Sequence, residues 1–231
     1  SRHKVQVPTI YRFDLKQGFL CLSDFGDELL WSKLKQAQGS DVDVTALYHG
    51  AFKELLLIQQ VSVEKLPLFS EDLLQQEMEL FSHWFCEGIL NLTLSDIDTK
   101  ILNKTFDYLN QSARSQLQLC VHRDYHSRNL LYLDEKLSDE SHIGVIDFQD
   151  AVKGPFTYDL VSLLKDCYIA WPLEQVKNWA LQYRDLAIQQ KILNVADANT
   201  EERAFLMSFD LMGAQRHLKA IGIFSRLYLR D

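Results

Sequence analysis

The chain has 231 residues and a formal net charge of −8, from 24 Lys and Arg against 32 Asp and Glu; 47% of it is apolar and 11% aromatic. That balance supports a sizeable core and excludes a disordered or fibrous chain, and the length allows one or two domains. No run of basic residues offsets the acidity, which argues against nucleic acid or an anionic membrane surface as a partner.

No apolar stretch approaches the ~20 residues of a bilayer span, and Ser1–Val5 lacks the apolar core of a signal peptide, so the expectation is a cytoplasmic location. Cys21, Cys86, Cys120 and Cys167 form no C-x-x-C pair, so neither a zinc knuckle nor a disulfide framework is indicated; their apolar flanks read as core positions. The nine glycines are scattered, Gly18 and Gly26 being the nearest pair, and no glycine-rich phosphate loop fits anywhere.

Residues 5–13 and 18–23 read as two short strands joined by a turn around Lys16-Gln17-Gly18. From Asp27 the period becomes helical: Leu29, Leu30 and Leu34, then Leu47, Ala51, Leu55 and Ile58. Pro67 stops that run. Ser70, with Glu71 and Asp72 behind it, caps a helix expected to reach about Leu90, and Ser95-Asp96 opens another to about Leu109. Three short apolar runs follow, at 117–121, 129–133 and 142–146, and read as strands between polar turns. Beyond Pro155 the chain is expected to be helical over 158–168, 172–190 and 200–228, the last in one or two pieces.

The most informative stretch is His122-Arg123-Asp124-Tyr125-His126-Ser127-Arg128-Asn129, which fits the H-R-D-x-x-x-x-N of a kinase catalytic loop and lies between two expected strands. Phosphoryl transfer to a hydroxyl needs a carboxylate to take or orient the hydroxyl proton, and Asp124 is the candidate. It also needs hard oxygen ligands for Mg²⁺, which Asn129 and, after the next strand, Asp147 of Asp147-Phe148-Gln149-Asp150 can supply. Each alone reads as a turn or strand-end residue; three in this order read as chemistry. His122 and His126 at i, i+4 would suit zinc on a helix, but a turn between strands makes a bracing His122 the better reading. Arg128 is read as steadying the loop.

H-x-D-x-x-x-x-N, I-D-F-Q-D and Gly154-Pro155-Phe156-Thr157-Tyr158-Asp159-Leu160 together resemble the aminoglycoside phosphotransferase and choline kinase superfamily, relatives of protein kinases. Within it, Gln215-Arg216-His217-Leu218-Lys219 and Gly222-Ile223-Phe224-x-Arg226-Leu227 are similar to bacterial cell-wall-recycling kinases that phosphorylate the anomeric hydroxyl of N-acetylmuramate and N-acetylglucosamine. The resemblance implies an α+β, protein-kinase-like fold: the end of the N-lobe and the hinge over 1–26, and a mostly helical C-lobe with a small β insertion over 27–231. It implies ATP and Mg²⁺ as cofactors and a nucleotide and a small-molecule acceptor as partners, with no obligate protein partner evident. Asp159 matches a family Asp whose role is largely structural.

By the same likeness Phe19 to Asp27 carries the hinge, with backbone groups around Ser23, Asp24 and Phe25 meeting the adenine edge. Arg216 and His217 on the last helix, and Trp84, are candidate substrate contacts. An ion pair for Arg216 and a core position for Trp84 are the plainer readings. The family's phosphate-covering loop, strand Lys and helix Glu lie upstream of the hinge and have no counterpart here; Lys4 is a strand-edge charge rather than that Lys. A fragment and an omitted first lobe are favoured over a lost first lobe. The chain alone is expected to be inactive, to bind nucleotide weakly or undetectably, and to leave an apolar patch around the hinge. The rival readings are another small-molecule kinase (aminoglycoside, choline or homoserine type) and a non-catalytic pseudokinase or binding module.

Overall fold

The computed structural model describes residues 5–38, 43–133, 142–197 and 200–230; Lys4 and the rest of the first four residues lie outside them. Strands β1 (Ile10–Asp14) and β2 (Phe19–Leu22) form an antiparallel hairpin whose turn uses Gly18 at φ 74°. Residues 5–9, expected as strand, are extended without a ladder: the Gln6 carbonyl accepts from Val145 N–H (2.8 Å), and Gln6 N–H donates to buried Glu54 (2.8 Å).

Two helices follow, α1 (Leu30–Ala37) and α2 (Val44–Gln59), the second capped by Asp43, which accepts from Thr45 and Ala46 N–H. Ser70 caps α3 (Glu71–Leu80) as its sequence signature predicts, accepting from Leu73 N–H (3.2 Å). The helix expected to reach Leu90 then changes pitch, becoming a π-helix over Phe81–Ile89; Leu90 N–H reaches back to the Phe85 carbonyl (3.0 Å). A capping box between Ser95 and Asp98 starts α4 (Asp96–Ser115), one and a half turns longer than its sequence predicts.

The β insertion is two antiparallel ribbons. Strand β3 (Gln118–Val121) pairs with β6 (Val152–Pro155), and β4 (Leu130–Tyr132) pairs with β5 (Ile143–Val145). Strand β6 carries no alternating apolar signal. It holds Gly154 because a Cβ there would meet the Phe69 ring at 3.1 Å. Helices α5 (Tyr158–Leu164), α6 (Leu173–Gln189) and an unbroken α7 (Glu202–Arg230) complete the chain. Helix α7 lies close on α3 and the π-helix. A Cβ on Gly222 would stand 2.4 Å from the Leu80 carbonyl carbon, so only glycine permits that approach.

The core centres on α2. Tyr48 stacks on Trp179 with centroids 4.4 Å apart, and Phe52 meets Tyr183 edge-on at 5.2 Å. Each such buried ring contributes about 1.5–3 kcal/mol. The polar ends are used as pins: Tyr183 O–H donates to Gln59 (2.8 Å), whose amide donates to the Phe156 carbonyl (3.0 Å). Of the cysteines, Cys86 and Cys120 are buried as expected, whereas Cys21 and Cys167 are exposed; all four are free thiols. Cys21 sits on the hairpin, which has no core behind it, and Cys167 on the loop after α5. Among the described residues no helix is long and apolar enough to cross a membrane.

Candidate active site

The segment 122–129 leaves β3, turns and enters β4, and several buried groups hold it. Asp159 of α5 is fully buried, and its two carboxylate oxygens accept from His122 N–H (2.7 Å) and Arg123 N–H (3.0 Å). Burial pushes its carboxyl above the usual range, against the opposing pull of His122 and Arg216. Tyr125 is fully buried and donates its hydroxyl to the Ala51 carbonyl of α2 (2.7 Å). His122 Nε2 donates to the Ile146 carbonyl (3.0 Å), tying the loop to the end of β5. Asp166 accepts from Ser127 N–H (2.9 Å) and from its hydroxyl, clamping the far side.

Arg128 is exposed and lies over two rings, Tyr168 at 4.7 Å and Trp31 at 5.8 Å. Arg123 and Asp147 both have left-handed backbones, at φ 77° and 66°. Non-glycine residues adopt that region only where their surroundings over-determine it, and such residues cluster at working sites.

Asn129 links the backbone at Asp124 to the Asp147 carboxylate. Its Nδ2 donates to the Asp124 carbonyl (3.0 Å) and lies 3.4 Å from Asp147 Oδ2. Gln149 donates to the other Asp147 oxygen (2.8 Å). Asp147 is exposed and Asn129 half-buried, which leaves oxygen donors open to a ligand. This donor set fits Mg²⁺, which takes one or two protein oxygens and keeps the remainder for water and phosphate. Among the described residues no group of three or more His, Cys, Asp or Glu is arranged to hold a metal.

Asp124 also lines a cavity of about 170 Å³ with His126, Arg216, Lys219, Tyr168 and Phe224. Arg216 donates to the Arg123 carbonyl (3.0 Å) and lies 4.9 Å over the Tyr158 ring. The ion pair foreseen as its plainer reading is not among those of the described residues. Its charge therefore faces the loop. His126 shares the cavity, and burial, with help from Arg216, lowers its pKa against the carboxylates of Asp166 and Asp124. Asp166 has no signal of its own in the sequence, where it falls within the helix expected over 158–168 but in the structure follows the end of α5, and His126 draws notice there only as a zinc partner for His122.

The other expected contacts lie elsewhere. His217 is exposed and donates to the Lys165 carbonyl (3.3 Å). Trp84 on the π-helix packs beneath Arg230 (5.5 Å), near the far end of α7 and about 20 Å along the helix from Arg216. At the expected hinge, Ser23 N–H is already spent on the Thr9 carbonyl (2.9 Å), and its hydroxyl accepts from Thr9 N–H (2.8 Å). Asp24 folds onto Gly26 N–H (2.8 Å), and the Phe25 ring packs over Gly144 of β5, where a Cβ would come within 2.5 Å. A larger cavity of about 400 Å³, between Gln116, Thr157 and Phe205, contains none of the loop residues.

A model of the phosphotransferase enzyme family matches residues 1–196. The chain belongs to that family. Similar phosphotransferase relatives include two proteins called N-acetylmuramate/N-acetylglucosamine kinase. The one from Pseudomonas putida is 38% identical, covering 98% of this chain and 63% of its own length. That from Neisseria meningitidis is 37% identical, covering 98% and 65%. The chain thus spans a little under two thirds of these curated relatives.

Among solved structures, a Plasmodium vivax ethanolamine kinase aligns with a TM-score of 0.64 at 12% identity, over 100% of this chain and 64% of that one. The GDP complex of aminoglycoside 2′-phosphotransferase-IIIa aligns at 0.61 and 16%, over 97% and 71%. At such identities the likeness concerns the fold alone, and that fold is the α+β, protein-kinase-like one that the family resemblance implies.

Proposed function

We propose that the protein is an ATP- and Mg²⁺-dependent phosphotransferase whose acceptor is a hydroxyl of an amino sugar of the N-acetylmuramate or N-acetylglucosamine type. The observation that carries the chemistry is the reach of one side chain. Asn129 contacts both the Asp124 backbone and the Asp147 carboxylate, so the candidate base and the candidate metal ligand stand within one residue of each other. The acceptor class rests on the two relatives above. It is also supported by a cavity whose Tyr168 and Phe224 offer flat apolar surface beside the polar Asp124, His126 and Arg216, as a sugar with an acetyl group requires.

In this reading Asp124 accepts the acceptor's hydroxyl proton as that oxygen bonds to the terminal phosphorus and the bond to the nucleotide diphosphate breaks. Asn129 and Asp147 hold Mg²⁺, which supplies neutralisation of phosphate charge when bound. Arg216 places a fixed positive charge beside Asp124, either for an acidic group on the acceptor or for the charge in transfer. Asp24, Phe25 and the Ser23 carbonyl remain the adenine-facing candidates. His217 and Trp84 are left out because neither lines the Asp124 cavity.

The test is acceptor-dependent ATP turnover by the full-length protein, with the product phosphate placed by ³¹P NMR. N-acetylmuramate or N-acetylglucosamine is expected to stimulate turnover, while choline, homoserine and an aminoglycoside do not. Stimulation by one of the latter alone contradicts the sugar reading, and no stimulation by any acceptor contradicts the kinase reading.

A further inference from the structure

Behind the catalytic loop lies a buried carboxylate that the reaction as described does not use. Glu77 of α3 is 5% exposed and draws together three parts of the molecule. Its Oε1 pairs with Arg123 (2.8 Å) from the loop and with Lys219 Nζ (2.8 Å) from α7. Its Oε2 accepts from Gln215 of α7 (3.3 Å) and, at 3.4 Å, from the hydroxyl of Tyr158 on α5. Lys219 donates in turn to that hydroxyl (3.1 Å). Burial alone would push the Glu77 carboxyl up, but Lys219 and Arg123 together hold it below the usual range, so it stays charged.

Arg123 is the residue immediately before Asp124 and holds a left-handed backbone (φ 77°). Each of its polar ends is held from a different direction: its N–H by Asp159, its carbonyl by Arg216 and its guanidinium by Glu77. The first two act on the backbone. Among the described residues Glu77 is the ion-pair partner of the side chain, whose guanidinium also lies 5.5 Å over the Phe69 ring and is only 21% exposed. A buried guanidinium that loses its carboxylate turns toward solvent, because an unpaired buried charge is costly. That turn would release the strained backbone, pull the Arg123 carbonyl from Arg216 and move Asp124 relative to Asn129.

We infer that Glu77 is a positioning residue: through its pair with Arg123 it holds Asp124 in register with Arg216 and the Asn129–Asp147 pair, so that the α3 carboxylate sets the rate of phosphoryl transfer rather than substrate affinity. This rests on the phosphotransferase reading above. A displacement of about 1 Å at a reacting group can cost a factor of ~100 in rate, so an effect on kcat is expected to be large.

The test uses the full-length protein and the variants Arg123→Met, Arg123→Lys and Glu77→Gln. Arg123→Met leaves Glu77 neutralised by Lys219 and is expected to fold. It is expected to lower kcat at least about tenfold, with KM for nucleotide and acceptor within about threefold, while Arg123→Lys regains most of kcat. Glu77→Gln, where folded, is expected to show the same split. Amide hydrogen exchange across 122–129, read without substrates, is expected to quicken about tenfold in Arg123→Met while α6 is unchanged. Folded Arg123→Met with wild-type kcat, or with unaltered exchange in the loop, would overturn the inference. Should the wild-type protein show no phosphotransfer to any acceptor, the functional reading falls and the exchange measurement alone decides whether Glu77 positions the loop.

Discussion

The segment 122–129 and the hairpin Ile10–Leu22 are both short, irregularly connected pieces of backbone, yet they are held in opposite ways. Into the loop, buried groups converge from α2, α5, α7 and the end of β5: Asp159, the Ala51 carbonyl, Arg216 and the Ile146 carbonyl. Among the described residues the hairpin is held chiefly by its own ladder. Tyr11, Phe13, Phe19 and Leu20 are each more than half exposed, on both faces. Order in this fold therefore comes from long-range polar anchoring of strained backbone, with local propensity secondary. Where the anchors stop, even aromatic strands stand free.

The contrast is broken most severely at Asp159. Asp159→Ala would orphan the buried N–H groups of His122 and Arg123 together, at a cost of roughly 3–5 kcal/mol. Urea unfolding is expected to show that loss, and a loss under about 1 kcal/mol would mean the loop holds itself. A smaller but sharp effect is expected where α7 crosses the junction of α3 and the π-helix. In Gly222→Ala the added methyl meets Leu80 backbone rather than a flexible side chain, costing about 1–3 kcal/mol by overpacking, to be read as a fall in Tm. The smallest effect belongs to the hairpin: Phe13→Ser is expected to change stability by less than about 0.5 kcal/mol. A larger loss would show that something covers that face in solution.

Local signals in the sequence found what is locally encoded. Ser70 and Ser95 start their helices where their side chains accept the orphaned N–H groups, and the spacing from His122 to Asn129 falls between two strands as the motif requires. Features set by distant contacts were not legible. Strand β6 exists because β3 and Phe69 need a partner with no side chain at Gly154, and its own residues show no alternation. The π-helix begins next to Leu80, where α7 passes closest, and nothing in Phe81–Ile89 announces it. Arg216 lay 93 residues from the carbonyl it meets, and Glu77 46 residues from Arg123. Trp84 and His217, whose residue types suit a sugar, stand away from the Asp124 cavity.

The central claim is that the anchored loop presents Asp124 for proton transfer. Asp124→Asn preserves shape and should leave Tm unchanged within about 2 °C. In the full-length protein with saturating ATP and N-acetylmuramate it is expected to lower kcat by about 100-fold or more while leaving KM for nucleotide within about threefold. A folded Asp124→Asn protein that turned over at the wild-type rate would contradict the account.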